Sequence, residues 1–552
     1  MATPWKSGIN TGRAKTYAAS LCASCDLHHS EAICMTTLSL ATVLAESARR
    51  YPEKVAIVDA GARITYRELW DQTRAYAAGL RELGVGAGST VAVMIPNVAD
   101  FPRVYYAALA VGARVVPVSL LLQPAEVAYV LSDSQADLLV THSAFLQVGA
   151  AAAQLSGTRL ANVGPLPAEL PTLPERLEEV SARVPALHTY VTRQAEDVAV
   201  ILYTSGTTGK PKGALLSHLN LVMNATVNVF DVHPITGDDV VLGCLPLFHT
   251  FGQTVGMNAT FRLGGTLVLL PRFTGEAAIE LMLRENVAIF HGVPTMYIGL
   301  LEAAAKAERL PKLKLCVSGG ASLPVAVLER FAETFGSHIF EGYGLSETSP
   351  TATTNQPAYG AKAGTVGHPI WGVEVEIARP EVPERIEFLP TGELGEIVIR
   401  GHNVFAGYLN RPEATAEAIV DGWFRTGDLG TRDEDGFISI VDRTKDLIIR
   451  GGFNVYPREV EEVLARHPAI QQVAVIGVAD DTHGEEICAV VVREDGGLTE
   501  QELIDWSRER LGKHKYPRQV RFAESLPLGP SMKVLKRELR KQYSHKQQGN
   551  AV

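Results

Sequence analysis

The chain has 552 residues, 46% of them hydrophobic, and carries a formal net charge of −10 at pH 7. This length and apolar content predict three or four structural units. The negative charge offers no general basic field to nucleic-acid phosphates, and no apolar run of about 18 to 20 residues could span a bilayer. We therefore expect a globular protein with no nucleic-acid partner and no transmembrane segment.

Residues 1–34 differ in character from the rest of the chain. They contain basic residues but no apolar stretch that resembles the core of a signal peptide, so we expect a cytoplasmic protein. They also hold a cluster that superficially resembles zinc ligands: Cys22, Cys25, Cys34, His28 and His29. Because Met35 begins a helical apolar pattern typical of a domain start, a dispensable extension or an upstream start site is the simpler interpretation.

The other three cysteines, Cys244, Cys316 and Cys488, sit among apolar neighbours. Six cysteines are too few for a disulfide framework in a chain of this length. These three are therefore predicted to be buried, reduced thiols.

From Met35 onward, short apolar runs alternate with amphipathic stretches, as is typical of an α/β domain. Thr65 and Glu68 have the spacing of a capping box at the start of a helix. The apolar residues that follow repeat on one helical face until Gly84 ends the helix: Leu69, Tyr76, Leu80 and Leu83.

The large body of the chain contains further apolar runs that predict buried strands, most of them leading into turns with glycine or proline. These runs are residues 89–97, 115–118, 137–142, 198–204, 266–270 and 313–320. Together with the intervening amphipathic stretches they predict a layered α/β body.

The pattern changes near residue 364. Short strands with close turns in 364–440 predict a small β-rich subdomain, and the charged segment 442–446 is the predicted domain boundary. Beyond it, strands at 473–478 and 487–492 predict a compact α/β unit. The predicted divisions are an extension (1–34), a large domain (35–442), a small C-terminal domain (443–545) and a polar tail (546–552).

The most informative segment is TSGTTGKPKG, residues 204–213. Its glycines allow backbone N–H groups to turn toward oxyanions, its hydroxyl residues add donors, and Lys210 and Lys212 add positive charge. Ser205 and Pro211 occupy the places where a Walker A loop needs glycine and Ser or Thr, so the segment is not a P-loop. An ordinary surface loop is the alternative, but the density of donors favours a phosphate-binding loop.

This segment resembles the signature of the adenylate-forming superfamily, which includes acyl-CoA synthetases, aryl-CoA ligases, luciferases and peptide-synthetase adenylation domains. The resemblance extends over about residues 40–545. It implies an α/β fold whose large N-terminal domain has two layered α/β subdomains and a small β-rich subdomain, followed by a small, mobile α+β C-terminal domain. It also implies that the loop holds the β- and γ-phosphates of ATP through Thr204, Ser205, Gly206, Thr207, Thr208, Gly209 and Lys210.

A second block, EGYGLSET, occupies residues 341–348. A carboxylate that shares Mg²⁺ with substrate phosphates suits this hard cation. The resemblance implies that Glu347 binds Mg²⁺, that Ser346 contacts the adenylate phosphate and that Tyr343 stacks on adenine, with Glu341 and Gly342 in the same nucleotide-binding block. Taken alone, the block could equally be a turn with a solvated carboxylate.

The third block contains Asp428, which can accept hydrogen bonds from both ribose hydroxyls. Arg443 resembles the family arginine that contacts ribose and phosphate, and Lys445 falls at the family's hinge position. Without the resemblance, Asp428 would be interpreted as a turn residue and both cations as solvated charges.

The fourth block contains Lys533, which matches the family's adenylation lysine and is therefore predicted to be catalytic, together with Thr204 and Glu347. Its cation would stabilise the charge that develops as a carboxylate oxygen attacks the α-phosphorus. The family commonly has glycine before this lysine, whereas this chain has Met532. If that position needs a positive φ, adenylation would be slow.

The substrate pocket is predicted from two segments. His249 stands where amino-acid-activating relatives carry an aspartate, so a plain carboxylic acid is favoured over an amino acid. A hydrogen-bonded core histidine is the alternative. Another wall is predicted at Gly319, Gly320 and Ala321, while Gly451 and Gly452 resemble the segment that lines the pantetheine tunnel after the small domain rotates.

We therefore predict ATP-dependent formation of an acyl-AMP, with pyrophosphate release, followed by transfer to coenzyme A. The predicted acid is a medium- or long-chain fatty acid. An aryl-CoA or other acid-CoA ligase and an enzyme that loads a carrier protein are alternatives. A nucleotide-binding relative with impaired catalysis is a third, because of Met532, and a homodimer is one possible assembly.

Overall fold

The computed structural model describes residues 37–165, 174–204, 210–443, 445–480, 482–494, 497–529 and 533–544. Met532, the predicted extension with its cysteines, and the predicted tail lie outside the described residues. In the described ranges, no helix has the length and apolar character needed to cross a membrane.

The strands are numbered in chain order. In the first half they are β1 (Val55–Asp59), β2 (Ala62–Thr65), β3 (Thr90–Met94), β4 (Arg114–Pro117), β5 (Leu138–His142), β6 (Arg159–Val163), β7 (Glu175–Arg176), β8 (Val198–Thr204), β9 (Lys212–Ser217), β10 (Val240–Gly243), β11 (Thr266–Leu269), β12 (Ile289–Gly292) and β13 (Leu315–Ser318). In the second half they are β14 (Ile339–Gly344), β15 (Thr351–Thr354), β16 (His368–Pro369), β17 (Val373–Ala378), β18 (Gly395–Gly401), β19 (Ile419–Val420), β20 (Trp423–Arg432), β21 (Ile438–Arg443), β22 (Ile448–Arg450), β23 (Phe453–Val455), β24 (Ile470–Asp480), β25 (Gly484–Arg493) and β26 (Gln519–Phe522).

The α-helices are α1 (Thr42–Arg50), α2 (Tyr66–Glu82), α3 (Asp100–Ala110), α4 (Pro124–Asp133), α5 (Leu146–Ser156), α6 (Leu177–Ala182), α7 (His218–Val227), α8 (Ala259–Leu263), α9 (Gly275–Glu285), α10 (Pro294–Ala304), α11 (Val325–Phe335), α12 (Pro412–Ala418), α13 (Pro457–Leu464), α14 (Glu500–Arg508) and α15 (Lys536–Ser544). Two π-helical segments, Asn228–Val232 and Phe251–Asn258, flank the site described below.

Helix α2 shows how local sequence determines an element. Thr65 Oγ1 accepts from the Glu68 backbone N–H, and Glu68 Oε2 accepts from the Thr65 N–H at 2.8 Å. Gly84, with φ of +76°, follows the end of the helix in a conformation that favours glycine. The predicted capping box is therefore confirmed.

Two α/β sheets form the body of the large domain. One has the order β7-β6-β5-β3-β4-β8-β9, with a parallel core and β9 antiparallel to β8. The other has the order β16-β15-β14-β13-β12-β10-β11-β1-β2, and its strands β14, β13, β12, β10, β11 and β1 run parallel. Carboxyl ends of parallel strands meet at one sheet edge, which is where ligands bind in such folds.

Two smaller sheets follow. Strands β17, β18, β19, β20 and β21 form an antiparallel sheet, and β22 to β26 form the sheet of the small domain. The predicted fold class is confirmed: a large α/β domain with a β-rich subdomain precedes a smaller α+β domain. Strand β21 ends at Arg443 and β22 begins at Ile448, on either side of the junction.

The strand predicted at 313–320 is shorter in the structure, where β13 ends at Ser318. Gly320 has φ of +86°, which takes the backbone out of the extended conformation. The sequence analysis also missed β9, because Lys212 was assigned to the loop. In the structure Lys212 is the first residue of β9 and pairs with Thr204 of β8.

Candidate active site

A cavity of about 1020 Å³ lies at the junction of both α/β sheets, the β-rich sheet and the small domain. Most of the predicted site residues in the described ranges line it. They are Thr204, Lys210, His249, Gly319, Gly320, Gly342, Tyr343, Ser346, Glu347, Asp428, Arg443, Lys445 and Lys533. Segments separated by more than 300 residues therefore contribute to one site.

Asp428, on β20, is the best-anchored carboxylate of the cavity. Its Oδ2 accepts from the Tyr343 hydroxyl at 2.6 Å, and its Oδ1 lies 2.9 Å from Arg443 Nε. Burial, together with the Asp428 charge, raises the pKa of Tyr343 well above its usual range, and the same charge raises the pKa of Arg443. The three side chains therefore form one fixed unit of a carboxylate, a neutral phenol and a cation.

Glu347 lies on a short 3₁₀ turn after β14 and is buried. Its Oε1 accepts from the Tyr408 hydroxyl at 2.9 Å, and its backbone carbonyl accepts from the Phe405 N–H. A buried carboxylate oriented by a phenol fits a single protein ligand of Mg²⁺, which would share its remaining sites with phosphate oxygens and water. Mg²⁺ held there would offset the negative charge of the phosphates.

The phosphate-loop segment is anchored at both ends by the β8–β9 hairpin, in which Thr204 pairs with Lys212. Lys210 Nζ lies 5.2 Å from the ring centroid of Tyr129, and Lys212 Nζ lies 5.1 Å from that of Tyr408. The remaining predicted loop residues, Ser205, Gly206, Thr207, Thr208 and Gly209, lie outside the described residues. The hairpin thus brings two cations to the mouth of the cavity.

Lys533 reaches the cavity from the small domain. A Cβ atom at Gly320 would lie 3.1 Å from Lys533 Cε, so the absence of a side chain there makes room for the lysine. Burial, with a contribution from the Arg443 charge, lowers the pKa of Lys533 to about 8. The ammonium group is therefore positioned at the point where the predicted adenine- and acyl-binding parts meet.

His249 faces the same region. Its Nδ1 accepts from the Phe251 N–H at 3.3 Å, which leaves Nε2 to carry the proton of the neutral ring. Burial and the nearby Lys533 charge lower the pKa of His249 to about 3. The residue is therefore a neutral hydrogen-bond donor on the cavity wall.

Four predicted residues lie elsewhere. The buried Glu341 carboxylate turns away from the described cavity lining to accept from the Leu323 N–H at 3.3 Å, and burial raises its pKa to about 7. Ala321 is exposed, because the chain leaves the pocket wall after Gly320. Gly451 and Gly452, with φ of +55° and +83°, form the exposed turn between β22 and β23.

Among the cavity residues that the sequence analysis missed are three polar side chains that matter for the chemistry below: Tyr408, His233 and His291. His291 could have been noticed as a polar residue within the apolar run of β12. Tyr408 and His233 carry no comparable local signal, because their neighbours come from distant segments.

The lining combines cations for phosphate oxygens, a carboxylate for hydroxyl groups and one buried carboxylate for a metal. These are the groups needed to bind a nucleoside triphosphate and to stabilise the charge that develops on its α-phosphate. A carboxylate substrate can itself be the nucleophile, so the site requires no covalent protein intermediate.

The AMP-binding enzyme family model matches residues 44–409, and the model for the AMP-binding enzyme C-terminal domain matches residues 459–533. The long-chain-fatty-acid–CoA ligase of Bacillus subtilis (strain 168) is 35% identical over 530 residues, covering 91% of this chain and 94% of the relative. The feruloyl-CoA synthase of an Amycolatopsis species is 37% identical over 504 residues, covering 90% and 97%.

Among solved structures, ATP-bound MatB from Rhodopseudomonas palustris aligns with a TM-score of 0.83 and 34% identity, covering 92% of this chain and 99% of that one. The resemblance inferred from the motifs is thereby confirmed. ATP and coenzyme A are substrates in this family, and Mg²⁺ is its usual metal. The chain therefore belongs to the AMP-binding enzyme family and is an AMP-forming acid–CoA ligase of the adenylate-forming superfamily.

Proposed function

We propose that the protein activates a monocarboxylic acid that carries no second charged group, with a medium- or long-chain fatty acid as the first candidate. The observation that carries this proposal is the acyl side of the cavity. None of its described lining residues between 228 and 320 is Asp, Glu, Lys or Arg. A substrate ammonium or second carboxylate would therefore be buried without an ionic partner, which is costly.

In the first half-reaction, a carboxylate oxygen of the acid attacks the α-phosphorus of ATP, and the bond to pyrophosphate breaks. Lys533 and Arg443 offset the negative charge on the phosphate oxygens. Asp428 binds the ribose hydroxyls, the ring of Tyr343 packs on adenine, and Ser346 contacts the adenylate phosphate. Thr204 and Lys210, with the rest of the loop, hold the departing phosphates.

In the second half-reaction, the thiol sulfur of coenzyme A attacks the acyl carbonyl, and AMP leaves. Rotation of the small domain about Lys445 would withdraw Lys533 and bring the turn at Gly451 and Gly452 to the cavity. We propose that this turn lines the pantetheine passage. A carrier-protein thiol is the alternative acceptor.

An aryl acid is the second candidate. A Cβ atom at Gly319 would lie 3.2 Å from the Phe251 ring, so glycine leaves room for a flat group against the pocket wall. The similarity to a feruloyl-CoA synthase supports this class to the same extent that the Bacillus ligase supports the fatty acids.

Pyrophosphate release tests the proposal. It should be measured with ATP, Mg²⁺ and panels of fatty, aryl and amino acids, with coenzyme A or a carrier-protein thiol as acceptor. We expect pyrophosphate release with a fatty or aryl acid and none with amino acids, and thioester formation with coenzyme A. The Lys533→Ala variant should release no pyrophosphate with any acid. Absence of release with every acid would instead support a nucleotide-binding protein without turnover.

Two further proposals concern the cellular location of the protein and its assembly. We propose a cytoplasmic enzyme that forms a homodimer. Cell fractionation and sedimentation would test these two points, and a purely monomeric protein would contradict the second.

A further inference from the structure

The acyl side of the cavity contains three histidines that the proposed reaction does not use: His249, whose Nδ1 accepts from the Phe251 N–H, and the pair His233 and His291. His291 lies on β12, beside Val317 of β13, which in turn pairs with Phe340 of β14. Paired residues of parallel strands share a sheet face, so these three side chains form a row. The His233 ring packs edge-on against Phe340, with centroids 5.4 Å apart. The two imidazoles therefore lie on the same sheet face.

Both imidazoles are buried, and neither has a hydrogen-bond partner in the part of the chain that the structure describes. His233 is 8% exposed and His291 is 5% exposed, and the Nδ1 atom of each is buried and unpaired. Because these Nδ1 atoms are closed off from the cavity, a ligand there could reach only the Nε2 atoms, which make no hydrogen bond to any described residue. A buried polar group without a partner costs about 1–3 kcal/mol, so a core function alone would not favour two of them.

The charge state of these rings restricts their ligand. Burial lowers the pKa of His233 to about 4 and that of His291 to about 3, so both are neutral at pH 7. A neutral imidazole offers one N–H donor and one acceptor nitrogen. The rings are surrounded by apolar residues such as Val317 and Phe251, which disfavour a charged group. An uncharged oxygen is the group that fits.

Lys533 marks where the substrate carboxylate reacts, so the distance from Lys533 to the two histidines shows which part of the acyl group they face. Lys533 contacts the wall at Gly320, whereas the row of side chains crosses β13 at Val317, three residues earlier. Because β13 ends at Ser318 and Gly320 leaves the extended conformation, the separation along the wall is less than the roughly 10 Å that three fully extended residues would span. The pair therefore faces the part of the acyl group that is remote from the carboxylate.

We infer that His233 and His291 select acids whose acyl group carries an uncharged oxygen, as a hydroxyl, alkoxy or carbonyl group, remote from the carboxylate. This inference rests on the proposed function and narrows its substrate class. The oxygen accepts from one imidazole N–H, and a hydroxyl can also donate to the other ring. An acid without this oxygen leaves both imidazoles unpaired in the complex, and the site discriminates against it.

Matched acids test the inference on the purified full chain. Initial rates of pyrophosphate release give kcat/KM for 4-hydroxycinnamate and cinnamate, and for 8-hydroxyoctanoate and octanoate. We expect the oxygenated member of at least one pair to be preferred by about 10- to 100-fold, as for loss of a buried hydrogen bond. The pair that shows the preference identifies an aryl or an alkyl substrate.

Variants assign the preference to the two histidines. In the variants His233→Phe and His291→Phe, the ratio of kcat/KM between the oxygenated and the unsubstituted acid should fall to about threefold or less. The fall should come mainly from a higher KM for the oxygenated acid, while KM for ATP changes little. His291→Gln, which keeps a donor and an acceptor, should retain part of the preference. His338→Phe replaces an exposed histidine outside the cavity lining and serves as the matched control. Thermal unfolding of each variant checks that it is folded.

The outcomes separate this inference from the proposed function. Equal or better turnover of both unsubstituted acids would overturn the inference and leave the ligase function intact. A preference that persists in the folded phenylalanine variants would overturn the assignment to His233 and His291. Failure of every acid to release pyrophosphate would overturn the proposed function itself.

Discussion

At the scale of single residues, Asp428 organises the proposed ribose site because its two oxygens hold Tyr343 and Arg443. Asp428→Asn keeps the shape of the side chain but removes the charge that both ribose hydroxyls and Arg443 would use. Hydrogen bonds to a charged group contribute about 1.5–3 kcal/mol, so we expect KM for ATP to rise by about 10- to 100-fold. Pyrophosphate release with ATP varied at saturating acid measures this change.

The matched control is Asp435→Asn, which alters an exposed aspartate between β20 and β21, outside the cavity lining. Its KM for ATP should equal that of the unchanged protein. If Asp428→Asn instead raised KM for the acid and left that for ATP unchanged, the ribose assignment would be wrong.

The lowered pKa of Lys533 predicts that the adenylation rate depends on pH. Its pKa of about 8 arises from burial and the Arg443 charge, and the proposed role requires the cation. The charged form predominates below pH 8, so kcat/KM for ATP in the adenylation step should fall about tenfold per pH unit above it. Rates of pyrophosphate release from pH 6.5 to 9.5 would locate the inflection.

Arginine substitutions identify the titrating group, because a guanidinium keeps its charge over this range. Lys533→Arg should remove the fall, whatever its absolute rate. Lys445→Arg is the control, since burial also lowers the pKa of Lys445. A fall that vanished only in Lys445→Arg would reassign the inflection to that residue.

At the scale of elements, the accuracy of the sequence analysis depends on how local the determinants are. Helix α2 was predicted because its capping box and glycine stop are contained within about one helix length of sequence. The pair of His233 and His291 was not predicted, because it depends on which strands are neighbours in the sheet. Strand order is set by tertiary packing, and a single sequence carries little information about it.

The glycine turn between β22 and β23 provides an element-scale prediction. Gly452→Leu places a large side chain at the tip of the turn proposed to enter the pantetheine passage. We expect thioester formation from supplied acyl-adenylate to fall by at least about tenfold, with adenylation within about twofold, because the turn lies outside the cavity in this conformation. Single-turnover assays of the two half-reactions measure this difference.

Backbone strain must be separated from blockage of the passage, since Gly452 has φ of +83°. Gly422→Leu is matched: Gly422 has φ of +78°, and at both positions a Cβ atom would have no neighbour within 4 Å. Equal effects of the two substitutions on thioester formation would show that strain, and not the passage, is responsible.

At the scale of the whole molecule, sequence motifs predicted which residues form the site but not which domain arrangement the chain adopts. Lys533 and Gly452 both belong to the small domain, yet the structure brings only Lys533 to the cavity. The choice depends on contacts across the junction. The composition of the junction does not reveal these contacts.

Asp442 makes one of the contacts that couple the two domains. Its Oδ1 accepts from the Arg443 N–H at 2.7 Å, and its Oδ2 accepts from the Arg458 N–H at 3.0 Å, at the start of α13. Arg458 Nη1 in turn donates to the Ile440 carbonyl on β21. The two bonds that involve Arg458 cross the junction and favour the orientation that places Lys533 in the cavity, whereas the bond to Arg443 lies at the end of β21.

Asp442→Ala should therefore shift the balance between the two arrangements. Only the bond to the Arg458 N–H crosses the junction, and a hydrogen bond to a charged group contributes about 1.5–3 kcal/mol, so we expect an adenylation rate about 10- to 100-fold lower. Thioester formation from supplied acyl-adenylate should be unchanged or faster, because leaving the adenylation arrangement no longer breaks this bond. Asp446→Ala is the control, since it removes an ion pair with Arg540 that lies within the small domain. If both variants slowed both half-reactions equally, Asp442 would stabilise the small domain without selecting its orientation.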